Sequence, residues 1–218
     1  EYDFMETIIS ETEKLLDDDK LGTDNNRALL LNNKAMLPMN RNEKLAHSIS
    51  LMNKALSMCD EKSNPVLFAN INMNLGILYI ENKETERGLE FMDKAYLFIK
   101  LCRAYNDDFI SIARNYAATL CENMRVDKAL DVLLECEFAT EECCSNNHAA
   151  LLYDLGAAYI LVGNYPLAVK KYSLAFAEYS ALGCSEELTA RKIAAAQQMQ
   201  RYGYEYPKEW GTDYLERS

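Results

Sequence analysis

The sequence is poor in the residues that make tight turns, since its 218 residues include only 8 glycines and 4 prolines. This scarcity leaves little material for β-hairpins and favours long helices. No apolar run approaches the roughly 18 residues of a membrane span. The first acidic residues, Glu1, Asp3 and Glu6, are the opposite of the positively charged start of a secretory leader. We therefore expect a protein of the cytoplasm or nucleus that is not secreted.

Groups that perform catalysis or bind metals are equally scarce. The chain has two histidines and lacks a Gly-rich phosphate loop, a GxSxG motif and a CxxC pair. Seven cysteines, an odd number without paired spacings, predict reduced thiols. Cys143, Cys144 and His148 could share one helical face, but no fourth zinc ligand accompanies them. We expect no enzymatic activity, no metal and no cofactor.

The charge is strongly acidic and unevenly spread. The net charge is −11, and residues 1–24 hold nine acidic side chains against two lysines, which gives −7 for that segment alone. An acidic chain repels nucleic-acid phosphates and anionic lipids, so we expect neither to be a direct partner. The acidic segment itself has two interpretations: a solvated surface that keeps the protein in solution, or a patch for a basic partner.

A segment of about twenty residues recurs along the chain. Residues 73–92 match residues 153–172 at an offset of 80, and the segment that begins at Arg114 fits between them at an offset of 41. Residues 49–56 recur as residues 89–96 at an offset of 40. A constant period of 39–41 residues is typical of stacked structural repeats.

Each repeat predicts two antiparallel helices. In the last repeat Gly156 and Tyr159 lie on one helical stripe, residues 163–166 break the chain, and Ala168 and Tyr172 lie on a second stripe. The small side chains would let the two helices approach closely, while the tyrosines supply packing area.

These positions resemble the signature of the tetratricopeptide repeat (TPR) family. The last repeat has Gly156, Tyr159, Gly163, Ala168 and Tyr172 at signature positions. The period is longer than is usual in the family and resembles the variants in kinesin light chains and Pins-type spindle adaptors. The resemblance implies an all-α fold, a right-handed superhelical stack of antiparallel helix pairs known as a TPR-like α-solenoid.

The predicted organisation has four parts. Residues 1–22 form a helix that resembles the second helix of an incomplete repeat, and residues 28–182 form about four TPR-like repeats. Residues 185–201 form a capping helix, and residues 202–218 form a tail rich in tyrosine and tryptophan. The tail either packs on the capping helix or docks elsewhere as a short segment, its own groove included.

The resemblance also implies that the first helix of each pair lines a concave groove that binds a peptide. Asparagine amides there can donate to and accept from a peptide backbone at once. Arg114 would favour an acidic or C-terminal carboxylate, and Tyr153 an apolar group, whereas Asn74 and Asn115 could instead bond locally. The predicted groove residues are Asn33, Asn70, Met73, Asn74, Ile77, Ser111, Arg114, Asn115, Tyr153 and Asp154.

The function that follows is a non-catalytic protein–protein interaction scaffold, or adaptor, that binds a peptide or helical segment of a partner protein. One alternative is a permanent structural subunit of a homo- or hetero-oligomeric assembly. A second is the peptide-sensing domain of a regulator.

Overall fold

The computed structural model describes residues 2–16, 22–36, 43–103, 105–140 and 145–183, together with the single positions 190, 193, 197 and 201. The helices in these ranges are α1 (Tyr2–Leu16), α2 (Asp24–Ala35), α3 (Glu43–Met58), α4 (Pro65–Glu81), α5 (Thr85–Leu101), α6 (Asp107–Glu122), α7 (Val126–Ala139), α8 (Asn146–Leu161) and α9 (Tyr165–Ala181). Within these ranges, no helix combines the length and apolar character that crossing a bilayer would need.

The helices are arranged as antiparallel pairs, as the sequence predicted. The chain divides into two units, Glu1–Arg103 and Ala104–Ser218. In the first unit α2 pairs with α3, α4 pairs with α5, and α1 packs on α2; in the second unit α6 pairs with α7 and α8 with α9. Within each unit the second helix of one pair also packs on the first helix of the next, α3 on α4 and α7 on α8.

Three of these pairs turn in the same way. The turn contains one residue in the left-handed region, Lys83 (φ 67°), Met124 (φ 59°) or Gly163 (φ 74°). The amide of the following residue donates to the carbonyl five positions earlier, at 2.8 Å in all three turns. This is the bonding of a Schellman cap, which satisfies carbonyls at the end of the first helix.

The first helices begin at side-chain caps. Asn64, Asn106 and Ser145 each accept a hydrogen bond from a backbone amide three residues later, at the start of α4, α6 and α8. Pro65 follows Asn64 in the first turn of α4, where the missing amide hydrogen removes no helical bond. The start of each of these helices is therefore fixed by local chemistry.

Two glycines allow a close contact between α4 and α5 in the first unit. A Cβ atom added to Gly76 of α4 would lie 2.8 Å from the Gly88 carbonyl oxygen, and one added to Gly88 of α5 would lie 2.6 Å from that of Gly76. Because neither distance can accommodate a side chain, these two glycines let the backbones of α4 and α5 touch.

Tyr172 organises the core of the last pair. Its side chain is buried, and its ring carbons come within 2.6–2.9 Å of where a Cβ of Gly156 would stand. The same ring meets that of Tyr153 edge to face, with centroids 5.1 Å apart. The sequence predicted that Gly156 lets two helices approach closely, and the group that the glycine accommodates is the ring of Tyr172.

Most of the predictions for the C-terminal part of the chain concern residues that the structure does not describe. The tail at 202–218 lies outside the described residues, and so does most of the capping helix predicted at 185–201. Its four described positions are helical, and Ile193 packs against the core of the last pair. The four-part organisation of the chain stays a prediction.

Candidate functional site

The predicted binding residues all lie on first helices of pairs. Asn33 belongs to α2 and four of them to α4 in the first unit; three belong to α6 and two to α8 in the second. They differ in exposure: Asn33 and Asn115 are exposed, Asn70, Asn74, Ile77, Ser111 and Arg114 are half-buried, and Met73, Tyr153 and Asp154 are buried.

Asparagine amides join α2 to α4 in the first unit. The Nδ2 of Asn74 donates to Oδ1 of Asn32 at 2.9 Å, and the Nδ2 of Asn32 donates to Oδ1 of Asn33 at 3.1 Å. We call Asn32, Asn33 and Asn74 the amide chain. It brings together two of the predicted residues, Asn33 and Asn74, through a third that sequence reasoning missed. The sequence feature that could have identified Asn32 is its position next to Asn33, since two consecutive asparagines on one helix can hydrogen-bond to each other.

An ion pair joins α6 to α8 in the second unit. The Nε of Arg114 donates to Oδ2 of Asp154 at 2.6 Å, and the two side chains are 21% and 8% exposed. We call these two residues the charged pair. Like the amide chain, it links two consecutive first helices of one unit. The carboxylate that Arg114 contacts belongs to another predicted residue, and the role of Arg114 toward a ligand stays a prediction.

The charged pair affects a neighbouring thiol. Burial raises the pKa of Cys121 to about 12, and the negative charges of Asp154 and Glu122 contribute to the rise. Cys121 therefore stays protonated at neutral pH and cannot act as a thiolate nucleophile.

The two predicted apolar anchors lie inside the protein. Met73 is 2% exposed and Tyr153 is 5% exposed. Tyr153 is held in the core by the ring of Tyr172. Met73 and Tyr153 occupy the same position in their repeats as Arg114 does in its own. The longer, polar side chain of Arg114 is half-buried and still reaches solvent. Their role as ligand anchors stays a prediction.

Further polar pairs hold the second unit together. Nδ1 of His148 on α8 lies 2.9 Å from both carboxylate oxygens of Glu178 on α9, and Lys171 on α9 pairs with Glu137 on α7. Cys143 and Cys144, which the sequence places near His148, lie outside the described residues. Among the residues that are described, no group of three or more His, Cys, Asp or Glu side chains could hold a metal ion.

Known structures with the same arrangement of helices are TPR-like. The chain is similar to BtubC (BKLC) from P. vanneervenii, with 16% identity, a TM-score of 0.65 and coverage of 94% of this chain and 92% of that one. It is also similar to the nearly identical TPR-like repeats of a kinesin light chain-like protein from Podosopora anserina, in two crystal structures that differ by a single substitution. Both have 14% identity and a TM-score of 0.61, and cover 87–88% of this chain and 90% of theirs. The fold is TPR-like.

Comparison of the sequence alone gives no match, either with protein-family models or with curated proteins. The TPR-like solenoid fold is therefore shown by similarity of structure. TPR-like folds generally mediate protein–protein interactions and are generally non-catalytic scaffolds.

Proposed function

We propose that this chain is a non-catalytic adaptor that binds a peptide or helical segment of a partner protein along the surface of its first helices. The observation that carries the proposal is the chemistry of that surface. Exposed asparagine side chains lie on a first helix of each unit, Asn33 on α2 and Asn115 on α6.

The described contacts favour an extended backbone as ligand. Asn33 and Asn115 expose their amides, and each amide offers a donor and an acceptor. Such groups bind a peptide backbone whatever its side chains. Because Asp154 partly neutralises Arg114, the surface carries less positive charge than the sequence implied. The preferred ligand is therefore a neutral segment rather than an acidic one.

The compartment we propose is the cytoplasm or the nucleus. The cysteines at positions 59, 102 and 121 carry free thiols. Free thiols at several positions are typical of a reducing compartment.

The proposal is tested with peptides selected for binding from a random library displayed on phage. Affinity for a selected peptide is then measured for the chain with Asn33→Ala and for the chain with Asn115→Ala. Both asparagines are exposed, so the substitutions should leave the fold intact. Substitution of the asparagine that the peptide contacts should lower the affinity about 5- to 10-fold. This is the fold-change that corresponds to the loss of one hydrogen bond to the peptide backbone.

Asn53→Ala is the matched control. Asn53 is also exposed, but it lies on the second helix α3 and its Nδ2 bonds its own helix, at the carbonyl of Ile49. Selected peptides should bind this variant as tightly as they bind the wild-type chain. Unchanged affinity in both groove variants, or an equal loss in Asn53→Ala, contradicts binding along the first helices.

A further inference from the structure

The guanidinium of Arg114 uses only part of its hydrogen-bonding capacity inside the protein. Its Nε donates to Oδ2 of Asp154 at 2.6 Å, and within the described residues the structure shows no second partner for it. A guanidinium has five N–H donors, most of them on its two Nη atoms. The Nη edge of Arg114 is therefore left for water or for a ligand.

The neighbours of Arg114 on its own helix are small. Ser111 lies one turn before it on α6 and Ala118 one turn after it, and both are half-buried. Residues three or four positions apart are neighbours on a helix surface. Because neither side chain is long enough to fold over the guanidinium, a ligand can approach the 21% of the Arg114 side chain that is exposed.

Asp154 holds the guanidinium in one orientation. The Asp154 side chain is 8% exposed, and residues 148–156 of α8 are all buried, so its carboxylate has a fixed place in the second unit. The guanidinium is planar and rigid, and the bond at Nε therefore also sets the direction of the two Nη atoms. A donor group that is already oriented loses less conformational entropy when a ligand binds.

The charge of the pair decides which kind of group binds best at the Nη edge. Arg114 and Asp154 together are electrically neutral. A ligand carboxylate would bring a second negative charge to one arginine at a partly buried place, where an unbalanced charge is costly. An uncharged carbonyl oxygen accepts hydrogen bonds from the same donors and leaves the pair neutral. Such a bond is still strengthened by the charge of the donor.

We propose that the Nη edge of Arg114 binds an uncharged carbonyl oxygen of the ligand, and that Asp154 is the positioning residue for this contact. The inference rests on the proposed binding of a segment along the first helices, and it adds the chemical group that is bound at α6. Two sources supply such a group, the peptide backbone and the side-chain amide of glutamine or asparagine.

The test uses the full 218-residue chain and peptides that are selected for binding to it from a phage library and amidated at the C-terminus. Arg114→Lys keeps the positive charge beside Asp154 but lacks the planar pair of Nη donors. We expect fluorescence anisotropy to show about tenfold weaker binding of a selected peptide to this variant. The double variant Arg114→Gln, Asp154→Asn should show a similar loss, and it leaves neither charge buried alone should Arg114→Lys fail to fold.

Changes in the peptide identify the source of the carbonyl. For a bound side-chain amide, replacement of that residue by glutamate or aspartate should weaken binding to the wild-type chain about tenfold, and the loss should be smaller for Asp154→Asn. For a bound backbone carbonyl, replacement of one peptide amide by an ester, which is a weaker acceptor, should weaken binding to the wild-type chain. The same ester should have little effect on binding to Arg114→Lys, because the two changes remove one interaction.

Arg87→Lys is the matched control. Arg87 lies on the second helix α5, its Nη1 pairs with Glu84 at 2.9 Å, and its side chain is 53% exposed. The substitution makes the same chemical change in another arginine–carboxylate pair, away from the first helices. Selected peptides should bind Arg87→Lys as tightly as they bind the wild-type chain.

Three results would overturn the proposal. One is unchanged affinity in Arg114→Lys and in the double variant, and another is an equal loss in Arg87→Lys. The third is tighter binding of peptides with a free terminal carboxylate than of their amidated forms by the wild-type chain. Loss of affinity in Asn115→Ala alone would leave the groove proposal in place and remove this one. A library that yields no binding peptide contradicts the groove proposal, and this inference falls with it.

Discussion

Arg114 and Asp154 lie forty residues apart on consecutive first helices, and the Nε of the arginine donates to the aspartate Oδ2 at 2.6 Å. Their side chains are only 21% and 8% exposed. A charge at that depth is tolerated because its partner is present, and it becomes costly when the partner is removed. We therefore expect the charged pair to contribute to stability and, under the proposed function, to disfavour an acidic ligand at Arg114, because that ligand would compete with Asp154.

Substitution of Asp154 by asparagine should separate these two effects. The amide oxygen can still accept from Arg114, but the charge is lost, and we expect the free energy of unfolding in urea to fall by about 1–3 kcal/mol. The released positive charge should improve the affinity of any bound peptide that ends in a free carboxylate over its amidated form. Glu84→Gln in the exposed pair with Arg87 is the control, with no measurable change expected. Equal behaviour of the two variants would contradict this account.

Gly156→Ala should destabilise the second unit. The added Cβ would stand 2.6–2.9 Å from ring carbons of the buried Tyr172, so the ring or the helix must move. We expect a loss of about 2–3 kcal/mol in the free energy of unfolding, measured by denaturant titration. The double variant Gly156→Ala, Tyr172→Leu should lose less free energy of unfolding than the sum of the losses in the two single variants, because the smaller leucine leaves room for the added Cβ. Strict additivity would show that the two residues do not share this space.

Much of the fold could be predicted because equivalent positions occur in several repeats, so the pattern of one repeat can be checked against the others. The break at residues 163–166 and the small residue at Gly156 recur at period-equivalent places, so a pair of antiparallel helices follows from local chemistry. The solved structures of similar fold agree with this prediction. The surface exposed by each helix is harder to predict, because it depends on the side chains of the helix packed against it.

The candidate site illustrates that limit. Met73, Arg114 and Tyr153 share one repeat position, yet two are buried and one reaches the surface. Tyr153 enters the core because Tyr172 packs against it, a contact that sequence spacing does not encode. The bond between Asn74 and Asn32 likewise depends on how α2 packs on α4. The sequence therefore placed the predicted residues on first helices of the pairs and left the partner of each side chain undetermined, and their role in binding stays a prediction.

The turn inside each pair offers a way to stabilise the chain. Lys83 and Met124 have positive φ angles of 67° and 59°, where a side chain is strained, while Gly163 at the same place is not. Lys83→Gly and Met124→Gly should each raise the free energy of unfolding by about 0.5–1 kcal/mol, and Gly163→Ala should lower it by about 1 kcal/mol.

Lys54→Gly is the control for these glycine substitutions, measured by thermal unfolding on the same samples. Lys54 lies exposed inside α3, where glycine should lower the free energy of unfolding by about 1 kcal/mol. Destabilisation by glycine at Lys83 and Met124 as well would mean that the left-handed turn is not the source of strain.

The thiols of Cys102 and Cys121 should react at very different rates. Cys102 is exposed at the end of α5, whereas Cys121 is 7% exposed and has a pKa of about 12. Because the thiolate is the reactive form, iodoacetamide at about pH 8 should modify Cys102 in the folded protein and leave Cys121 intact until the chain unfolds. Peptide mass spectrometry with and without denaturant measures both sites. Equal labelling of the two cysteines in the folded protein would contradict the burial of Cys121.

The same pKa has a consequence for stability at high pH. The Cys121 pKa is raised from 9.0 in the unfolded chain to about 12 in the folded one, so the folded state retains a proton that the unfolded state releases. Its contribution to stability is complete below about pH 9 and is lost as the pH rises toward about 12. Since lysines and tyrosines also titrate in this range, the wild-type chain should be compared with Cys121→Ala. We expect the free energy of unfolding to fall more steeply above about pH 9 in the wild-type chain, and parallel curves would exclude Cys121 as a cause.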